Sequence, residues 1–157
     1  MGETPALLER RSRARSQDPV SVPKPVDHEP DLVTVDTTWG ELQPLQCAAG
    51  VVAVGELELI EHVRAGAALI DTRVPDSRNS VTIPGAVNIA HDEITDRRTE
   101  LDESRVSVLF CNGPQCPQSP AAIRALLEIG YPACYLVYYR GGLHDWVTLA
   151  MPIEAVG

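Results

Sequence analysis

The sequence is poor in aromatic residues and has no excess of positive charge. Aromatic side chains make up 4% of the 157 residues, so a core must rest mainly on Val, Leu, Ile and Ala. The formal net charge is −9, so the chain lacks the basic surface typical of a nucleic-acid-binding protein. The same negative charge disfavours binding to anionic membranes. At this length, with 44% hydrophobic residues, we predict one domain with a single buried core.

Long hydrophobic runs are also absent. No apolar stretch approaches the roughly 20 residues that span a bilayer, and residues 1–30 contain no apolar region typical of a secretory signal. We therefore expect a cytoplasmic protein without membrane association. Residues 1–30 are rich in proline and charge and show little periodicity, which predicts a flexible N-terminal tail before a globular domain over residues 31–157.

Cysteine is scarce and is not spaced for a metal site. The four cysteines are Cys47, Cys111, Cys116 and Cys134. In a cytoplasmic protein they are expected to be thiols rather than disulfides. The single C-x4-C pair has no second half, which does not fit a zinc site, so we expect no metal and no cofactor.

Apolar and amphipathic segments alternate along the globular part. Near-continuously apolar strands predict an α/β fold, with a parallel sheet and helices on both faces. In such sheets, ligands bind beyond the carboxyl ends of the strands, and Cys111 lies at one of these ends. Strands are predicted at residues 31–39, 67–71, 86–90, 105–110 and 133–139, and helices at 55–67 and 121–130. Residues 91–104 are predicted to be a polar helix followed by a loop, residues 140–151 a turn and a final helix, and residues 47–54 are ambiguous between strand and loop.

The segment VLFCNGPQCPQSPAAIRALLEIGY, residues 108–131, combines a strand end, a turn-rich loop and an amphipathic helix. Pro120 fits the first helical turn, and Ser119 is the expected N-cap. A helix N-terminus lowers the pKa of a thiol, so Cys111 is a candidate nucleophile. Alternatively, Cys111 is an inert residue that closes a buried strand. The loop amides expected to form an anion cradle are those of Asn112, Gly113, Gln115, Cys116 and Gln118.

Four motifs, in this order, resemble those of the rhodanese-homology domain. They are LIDTR (69–73), IPGAVNI (83–89), the strand–Cys–loop–helix segment above, and YRGGLHDW followed by MPIE (139–154). The resemblance covers residues 55–154. It implies a three-layer sandwich with a five-stranded parallel sheet, and a rhodanese-like sulfurtransferase in which Cys111 is the catalytic cysteine. Such a cysteine accepts sulfane sulfur from thiosulfate or a small persulfide and passes it from a Cys–S–SH intermediate to a nucleophile.

Three departures from the family pattern limit what can be carried over. Val81 and Thr82 stand where the family usually has Gly-His. The loop NGPQCPQS contains no Arg or Lys, which disfavours the doubly charged donor thiosulfate. The loop is one residue longer than the common version, as in related phosphatases and arsenate reductases. Those phosphatases need an arginine where Pro117 and Gln118 lie, so phosphatase activity is not expected.

Cys116 has three interpretations. It can attack a Cys111 persulfide or close a Cys111–Cys116 disulfide, as paired loop thiols do in redox sensors. It can instead pack under the loop as a small apolar group. In a third interpretation Cys116 is itself the nucleophile, because it lies closer to the start of the helix.

Other polar residues are possible accessories. Asp71 and Arg73 can orient the site, or can form an ion pair that only fixes the loop after their strand. Arg140 can bring positive charge to the site entrance or be a solvated turn residue. We also predict a core position for Trp146 and Cys134, a solvent-facing His144, a redox or buried role for Cys47, and a contact of Trp39 with the domain.

The sequence therefore predicts a sulfurtransferase that uses a small sulfur donor and a thiol or protein acceptor, with an unknown oligomeric state. One alternative is a non-catalytic binding or regulatory module of the same fold, which the uncharged loop favours. Another is a thiol redox protein that cycles a Cys111–Cys116 disulfide.

Overall fold

The computed structural model describes residues 24–26, 28–34, 42–78 and 81–156. Most of the predicted tail, and Trp39, lie outside the described residues. Strands β1 (Lys24–Val26) and β2 (Glu29–Thr34) pair in antiparallel fashion across the predicted boundary at residue 30. The strand predicted over residues 31–39 thus begins at Glu29. The division into a tail and a domain over residues 31–157 stays a prediction.

Five strands form one parallel sheet. They are β3 (Val52–Val54), β4 (Ala68–Asp71), β6 (Val87–Asn88), β7 (Ser107–Phe110) and β8 (Leu136–Tyr139). Their spatial order is β3–β8–β7–β4–β6. The central strand β7 is buried along its whole length, as expected for a strand covered on both faces. The predicted α/β fold with a five-stranded parallel sheet is confirmed.

Three helices cover the two faces: α1 (Glu56–Arg64), α2 (Gln118–Glu128) and α3 (Gly142–Thr148). Alternate strand residues face opposite ways. Val108 and Phe110 of β7 pack in a cluster with residues of α1 and α3, whereas Leu109 packs in a second cluster with residues of α2. The three-layer sandwich follows directly from this alternation.

The strand register places the functional loop. Asp71, at the end of β4, pairs with Phe110, at the end of β7. The chain therefore leaves both strands at the same sheet edge, with Thr72 beside Cys111. This edge is the carboxyl end of a parallel sheet, where binding sites of such folds lie.

The helix boundaries follow local signals. Gly66 has a φ of +100°, and the following amide, that of Ala67, bonds to the carbonyl of His62, so Gly66 closes α1 as predicted. Helix α2 begins at Gln118 with Pro117 in the capping position. Ser119, the expected N-cap, instead lies inside the first turn, where its hydroxyl contacts Thr72.

The polar helix predicted in the first part of residues 91–104 is not formed. This segment consists of turns and a short 3-10 helix, Arg98–Glu100. Only Ile94 and Leu101 are buried there, so no continuous apolar face can hold a helix against the sheet. Between β4 and β6, the short strand β5 (Val81–Thr82) pairs with β9 (Glu154–Ala155) near the C-terminus.

Two side chains differ from expectation and one agrees. Cys134, expected in the core, is exposed because a 3-10 turn, Ala133–Tyr135, precedes β8. His144, expected in solvent, is half-buried with Nδ1 3.1 Å from Asp145 Oδ1. Trp146 is in the core as predicted and meets the Tyr139 ring edge-on.

Candidate active site

Cys111 follows β7 directly and is 1% exposed. Together with Cys116, which is 0% exposed, it forms a small cluster separate from both apolar clusters of the core. The thiol is therefore buried, but its immediate surroundings are the polar groups of the loop rather than the hydrocarbon core.

Helix α3 holds the start of the loop through its first amides. Leu143 N–H donates to the Cys111 carbonyl at 2.9 Å, and His144 N–H donates to the Asn112 carbonyl at 2.7 Å. In a trans peptide the N–H points opposite to the C=O. The Asn112 and Gly113 amides, which follow these carbonyls, are therefore turned away from α3.

This close approach requires glycine at position 142. A Cβ there would lie 2.4 Å from the Cys111 carbonyl oxygen and 2.7 Å from the Gly113 nitrogen, and the residue has a φ of +60°. Any larger side chain would push against backbone that cannot give way. The sequence analysis did not identify this role. The Gly-Gly pair after Arg140 was the only available signal.

The middle of the loop folds into a tight turn. The Cys116 N–H donates to the Gly113 carbonyl at 3.0 Å and so closes the turn. This differs from the expected cradle, in which the Cys116 amide faces a bound anion. Gln115 is half-buried within the turn. The turn brings Cys116 back over Cys111, whose Sγ lies 3.5 Å from the Cys116 carbonyl oxygen.

Hydrogen bonds make Cys111 more acidic than an ordinary thiol. Burial alone would raise its pKa, but hydrogen bonds from the Cys116 thiol and from the hydroxyl and amide of Ser119 lower the pKa to about 7. The Ser119 amide lies 3.3 Å from Cys111 Sγ. The loop therefore favours ionisation of Cys111 without a cation among its own residues.

The neighbouring thiol behaves in the opposite way. Burial raises the pKa of Cys116 well above its usual value, and its hydrogen bond to Cys111 and the charge of Cys111 raise it further. Backbone hydrogen bonds from Gln118 and Asn112, two of the expected cradle amides, act in the lowering direction. In this state Cys111 is the thiol that ionises more readily, and Cys116 is a protonated donor beside it.

Thr72 and Gln118 fix the start of α2 against the neighbouring strand. Thr72 Oγ1 is 2.8 Å from Ser119 Oγ and donates to the Phe110 carbonyl at 3.0 Å. Gln118 Oε1 accepts a hydrogen bond from the Val74 amide at 2.9 Å. The sequence analysis did not identify Thr72, because it contacts the site from 47 positions before Ser119.

Asp71 and Arg73 form a fully buried ion pair, with Nη2–Oδ2 at 2.6 Å and Nε–Oδ1 at 2.9 Å. Thr82, at the atypical family position, donates to Asp71 Oδ2 at 2.8 Å. Arg73 Nη1 also donates to Asn112 Oδ1 at 3.1 Å. The ion pair that fixes the segment after β4 therefore also holds Asn112, the residue that follows Cys111. Asp71 contributes a small raising effect to the Cys111 pKa, after burial and the hydrogen bonds.

A segment before β3 lies across the loop. We call residues 42–47 the covering segment. The Gln43 amide donates to the Pro114 carbonyl at 2.7 Å, and the Gln43 carbonyl accepts from Arg140 Nε at 2.9 Å. Arg140 is therefore bound to this segment. At the far end of the segment, Cys47 is buried in the core, with its carbonyl held by Arg124.

The part of the chain that the structure describes contains neither a metal-ligand cluster nor a membrane-spanning helix. Over residues 42–78 and 81–156, together with the N-terminal hairpin, no three His, Cys, Asp or Glu side chains are grouped as metal ligands. Across the same part of the chain, no helix has the length and apolar character required to cross a bilayer.

Comparison with known proteins assigns the family. The model of the rhodanese-like domain matches residues 57–149. The chain belongs to the rhodanese-like domain family. An HTH-type transcriptional regulator from Mycobacterium tuberculosis is 31% identical to this rhodanese-like chain over 103 residues, which is 65% of this chain and 44% of the regulator. The chain thus spans less than half the length of that relative.

Solved structures share the rhodanese-like fold. A rhodanese-related protein from Thermoplasma volcanium is 20% identical, with a TM-score of 0.55, over 65% of this chain and 96% of that one. A thiosulfate sulfurtransferase from Pseudomonas aeruginosa is 23% identical, with a TM-score of 0.52, over 67% of this chain and 20% of that one. At these identities the likeness establishes only the fold, and the chemistry has to be argued from the residues of the site.

Proposed function

We propose that this rhodanese-like protein is a sulfurtransferase that carries sulfane sulfur as a persulfide on Cys111. The observation that supports this most directly is the hydrogen-bonded thiol at the carboxyl edge of the sheet, with a pKa of about 7. A thiolate is the reactive form of cysteine, and family membership supplies a reaction class that uses it.

The reaction takes two displacements. The Cys111 thiolate attacks the sulfane sulfur of a donor R–S–SH, and R–S⁻ leaves, which produces Cys111–S–SH. A thiolate of a small molecule or an acceptor protein then attacks the outer sulfur. The Cys111 thiolate leaves and is stabilised by the Ser119 amide and hydroxyl, as it was before the first step.

The electrostatics of the loop favour a small persulfide over thiosulfate as donor. Residues 112–119 contain no Arg or Lys. The nearby Arg73 is neutralised by Asp71, and Arg140 is bound to the Gln43 carbonyl. Backbone amides hold one negative charge well, but they do not balance the second charge of thiosulfate as a guanidinium does.

The experiment compares sulfur transfer to a thiol acceptor from glutathione persulfide and from thiosulfate. We expect turnover with glutathione persulfide and no turnover in Cys111→Ser. Turnover with thiosulfate should be at least about tenfold slower, because the missing charge-assisted hydrogen bond would contribute about 1.5–3 kcal/mol. Equal rates in Cys111→Ser and the unmodified protein would overturn the proposal.

A second candidate is a regulatory module that keeps the fold and senses sulfur species without turnover. The likeness to a transcriptional regulator, of which the matched region covers 44%, supports it. The same assay separates the two, because a sensing module takes up sulfur at Cys111, or none at all, without passing it to the acceptor.

A third candidate is the thiol redox protein. The contact between Cys111 and Cys116 supports it. Mild peroxide without a sulfur donor distinguishes it, since a redox protein would lose two hydrogen atoms per chain in a reaction that needs both thiols.

A further inference from the structure

Cys116 is a buried nucleophilic group that two-step sulfur transfer uses only as a hydrogen-bond donor to Cys111. It is 0% exposed and forms a cluster with Cys111 alone. The Gly113–Cys116 hydrogen bond of 3.0 Å folds the chain back so that the second thiol lies against the first. A thiol that only filled space would be expected to pack against one of the two apolar clusters.

We propose that Cys116 is a resolving thiol, which attacks a persulfide on Cys111 and releases hydrogen sulfide. This inference rests on the proposed function, because it needs the Cys111 persulfide as its substrate. It adds a reductive outcome to sulfur transfer: the protein would convert a small persulfide into a thiol and sulfide.

In the balanced step, the Cys111 persulfide and the Cys116 thiol give a Cys111–Cys116 disulfide and one molecule of hydrogen sulfide. The Cys116 thiolate attacks Cys111 Sγ, a bond forms between the two Sγ atoms, and the bond to the outer sulfur breaks. The outer sulfur leaves as hydrosulfide and takes up the proton lost by Cys116. It is reduced to sulfide while the two cysteines are oxidised. A dithiol reductant, or two small thiols, then reduces the disulfide.

Loading Cys111 with sulfur would itself activate Cys116. In the resting state, burial, the hydrogen bond to Cys111 and the Cys111 charge all raise the Cys116 pKa. When Cys111 Sγ carries the second sulfur, Sγ is no longer a thiolate, so the hydrogen bond from Cys116 to that thiolate is lost and the charge moves outward to the terminal sulfur. The backbone hydrogen bonds from Gln118 and Asn112, which lower the pKa, remain.

The surroundings also favour an internal attacker over an external one. The covering segment, fixed through Gln43 to Pro114 and Arg140, lies across the loop that buries Cys111. An external thiol must wait for an opening, whereas Cys116 is already in contact. Well-oriented internal groups act with effective molarities of about 10⁵ M or more.

Tyr138 supplies a further buried polar group within electrostatic range of the thiols. It is 1% exposed, and its hydroxyl has no partner among the described residues. Burial raises the Tyr138 pKa, and the charges of Cys111, Cys116 and Cys47 raise it further, so the hydroxyl stays protonated within electrostatic range of all three. A donor of this kind can stabilise a departing sulfur anion.

The test adds one equivalent of glutathione persulfide to the reduced full chain without oxygen. Timed samples are alkylated and weighed intact, and free sulfide is measured. We expect the unmodified protein to lose two hydrogen atoms and release one sulfide per chain. Cys116→Ser should keep the mass of one added sulfur, with loss of sulfide release. Cys134→Ser, which removes an exposed thiol, is the matched control and should behave like the unmodified protein.

The outcomes separate the two proposals. If the unmodified protein keeps the added sulfur as long as Cys116→Ser does, the resolving role is overturned while sulfur uptake at Cys111 stands. If neither protein takes up sulfur although both remain folded by circular dichroism, sulfur transfer itself fails and the resolving role fails with it.

Discussion

At the scale of single residues, uncharged groups control the ionisation of Cys111. Burial raises its pKa, and the Cys116 thiol with the Ser119 hydroxyl and amide lowers it to about 7. The Asp71 charge acts in the raising direction, after burial and the hydrogen bonds. A site of this kind suits a nucleophile that must leave again as a thiolate, since no fixed cation in the loop holds the donor or the product.

Arg73 provides the first prediction at this scale. Arg73→Leu removes the two-point contact with the buried Asp71 carboxylate and leaves it only the Thr82 hydroxyl and the more distant Arg78 Nε, at 3.6 Å. Breaking a buried pair from one side costs about 3–5 kcal/mol. For a chain of this size that corresponds to a fall in Tm of about 10 °C, measurable by circular dichroism.

Arg97→Leu is the matched control for Arg73. Arg97 pairs with Glu100 at 2.6 Å on the surface, where the two side chains are 34% and 45% exposed. Surface pairs contribute about 0–1 kcal/mol, so the Tm should change little. Equal losses in the two variants would contradict the structural role given to Arg73.

Residue-scale roles were only partly predictable from the sequence. Cys111, Cys116 and the loop between them lie close together in the chain, so the strand, turn and helix signals around them could be combined directly. Thr72 and Gly142 approach the same loop from distant positions. Their contacts depend on the register of β4 with β7 and on the docking of α3, which sequence periodicity does not specify.

At the scale of elements, the junction between α3 and the loop depends on Gly142. Gly142→Ala would place a methyl group 2.4 Å from the Cys111 carbonyl at a φ of +60°. We expect a loss of about 2–4 kcal/mol from strain and overlap, or a displaced loop. The loss of stability would appear as a lower urea midpoint of unfolding, and the displaced loop as slower alkylation of Cys111 at neutral pH.

Gly130→Ala is the control for that variant. Gly130 also has a positive φ, of +89°, but open space surrounds its Cβ position. This substitution should cost only the backbone strain, about 1–2 kcal/mol, and leave Cys111 alkylation unchanged. The same alkylation rate in both alanine variants would refute the tight α3–loop contact.

The covering segment gives a second prediction for an element. Arg140→Leu removes the bond to the Gln43 carbonyl and leaves the Gln43–Pro114 bond as the remaining contact described here between this segment and the loop. We expect several-fold faster iodoacetamide alkylation of Cys111 with little change in Tm. Arg105→Leu, which removes an exposed arginine bonded to Gly66, should not alter the rate.

Some elements could be predicted well and others could not, for a physical reason. The strand of residues 105–110 and the helix of residues 121–130 carry strong local patterns and occur within a few residues of their predicted positions. The segment 91–104 contains helix-forming residues with paired charges but too little apolar surface to bury, and it forms turns. In this case burial, rather than local propensity, decided the structure.

At the scale of the whole molecule, the sheet edge, the loop and α3 together position the thiol of Cys111. The carboxyl ends of β4 and β7 bring Thr72 and Cys111 side by side, and α3 holds the loop carbonyls away from the sulfur. The family match and the fold account for the position of Cys111. The activity follows only if that position also ionises the thiol near neutral pH.

The pH dependence of Cys111 alkylation tests this claim most directly. The reduced protein is exposed briefly to iodoacetamide across a pH series from acidic to alkaline buffer, and modification at Cys111 is located in the tryptic peptide 106–124. The thiolate fraction should rise through a midpoint of about pH 7 and reach a plateau about one pH unit higher. A rate that continues to rise steeply beyond that point, with a midpoint at about pH 8.5 as for an ordinary thiol, would contradict the account.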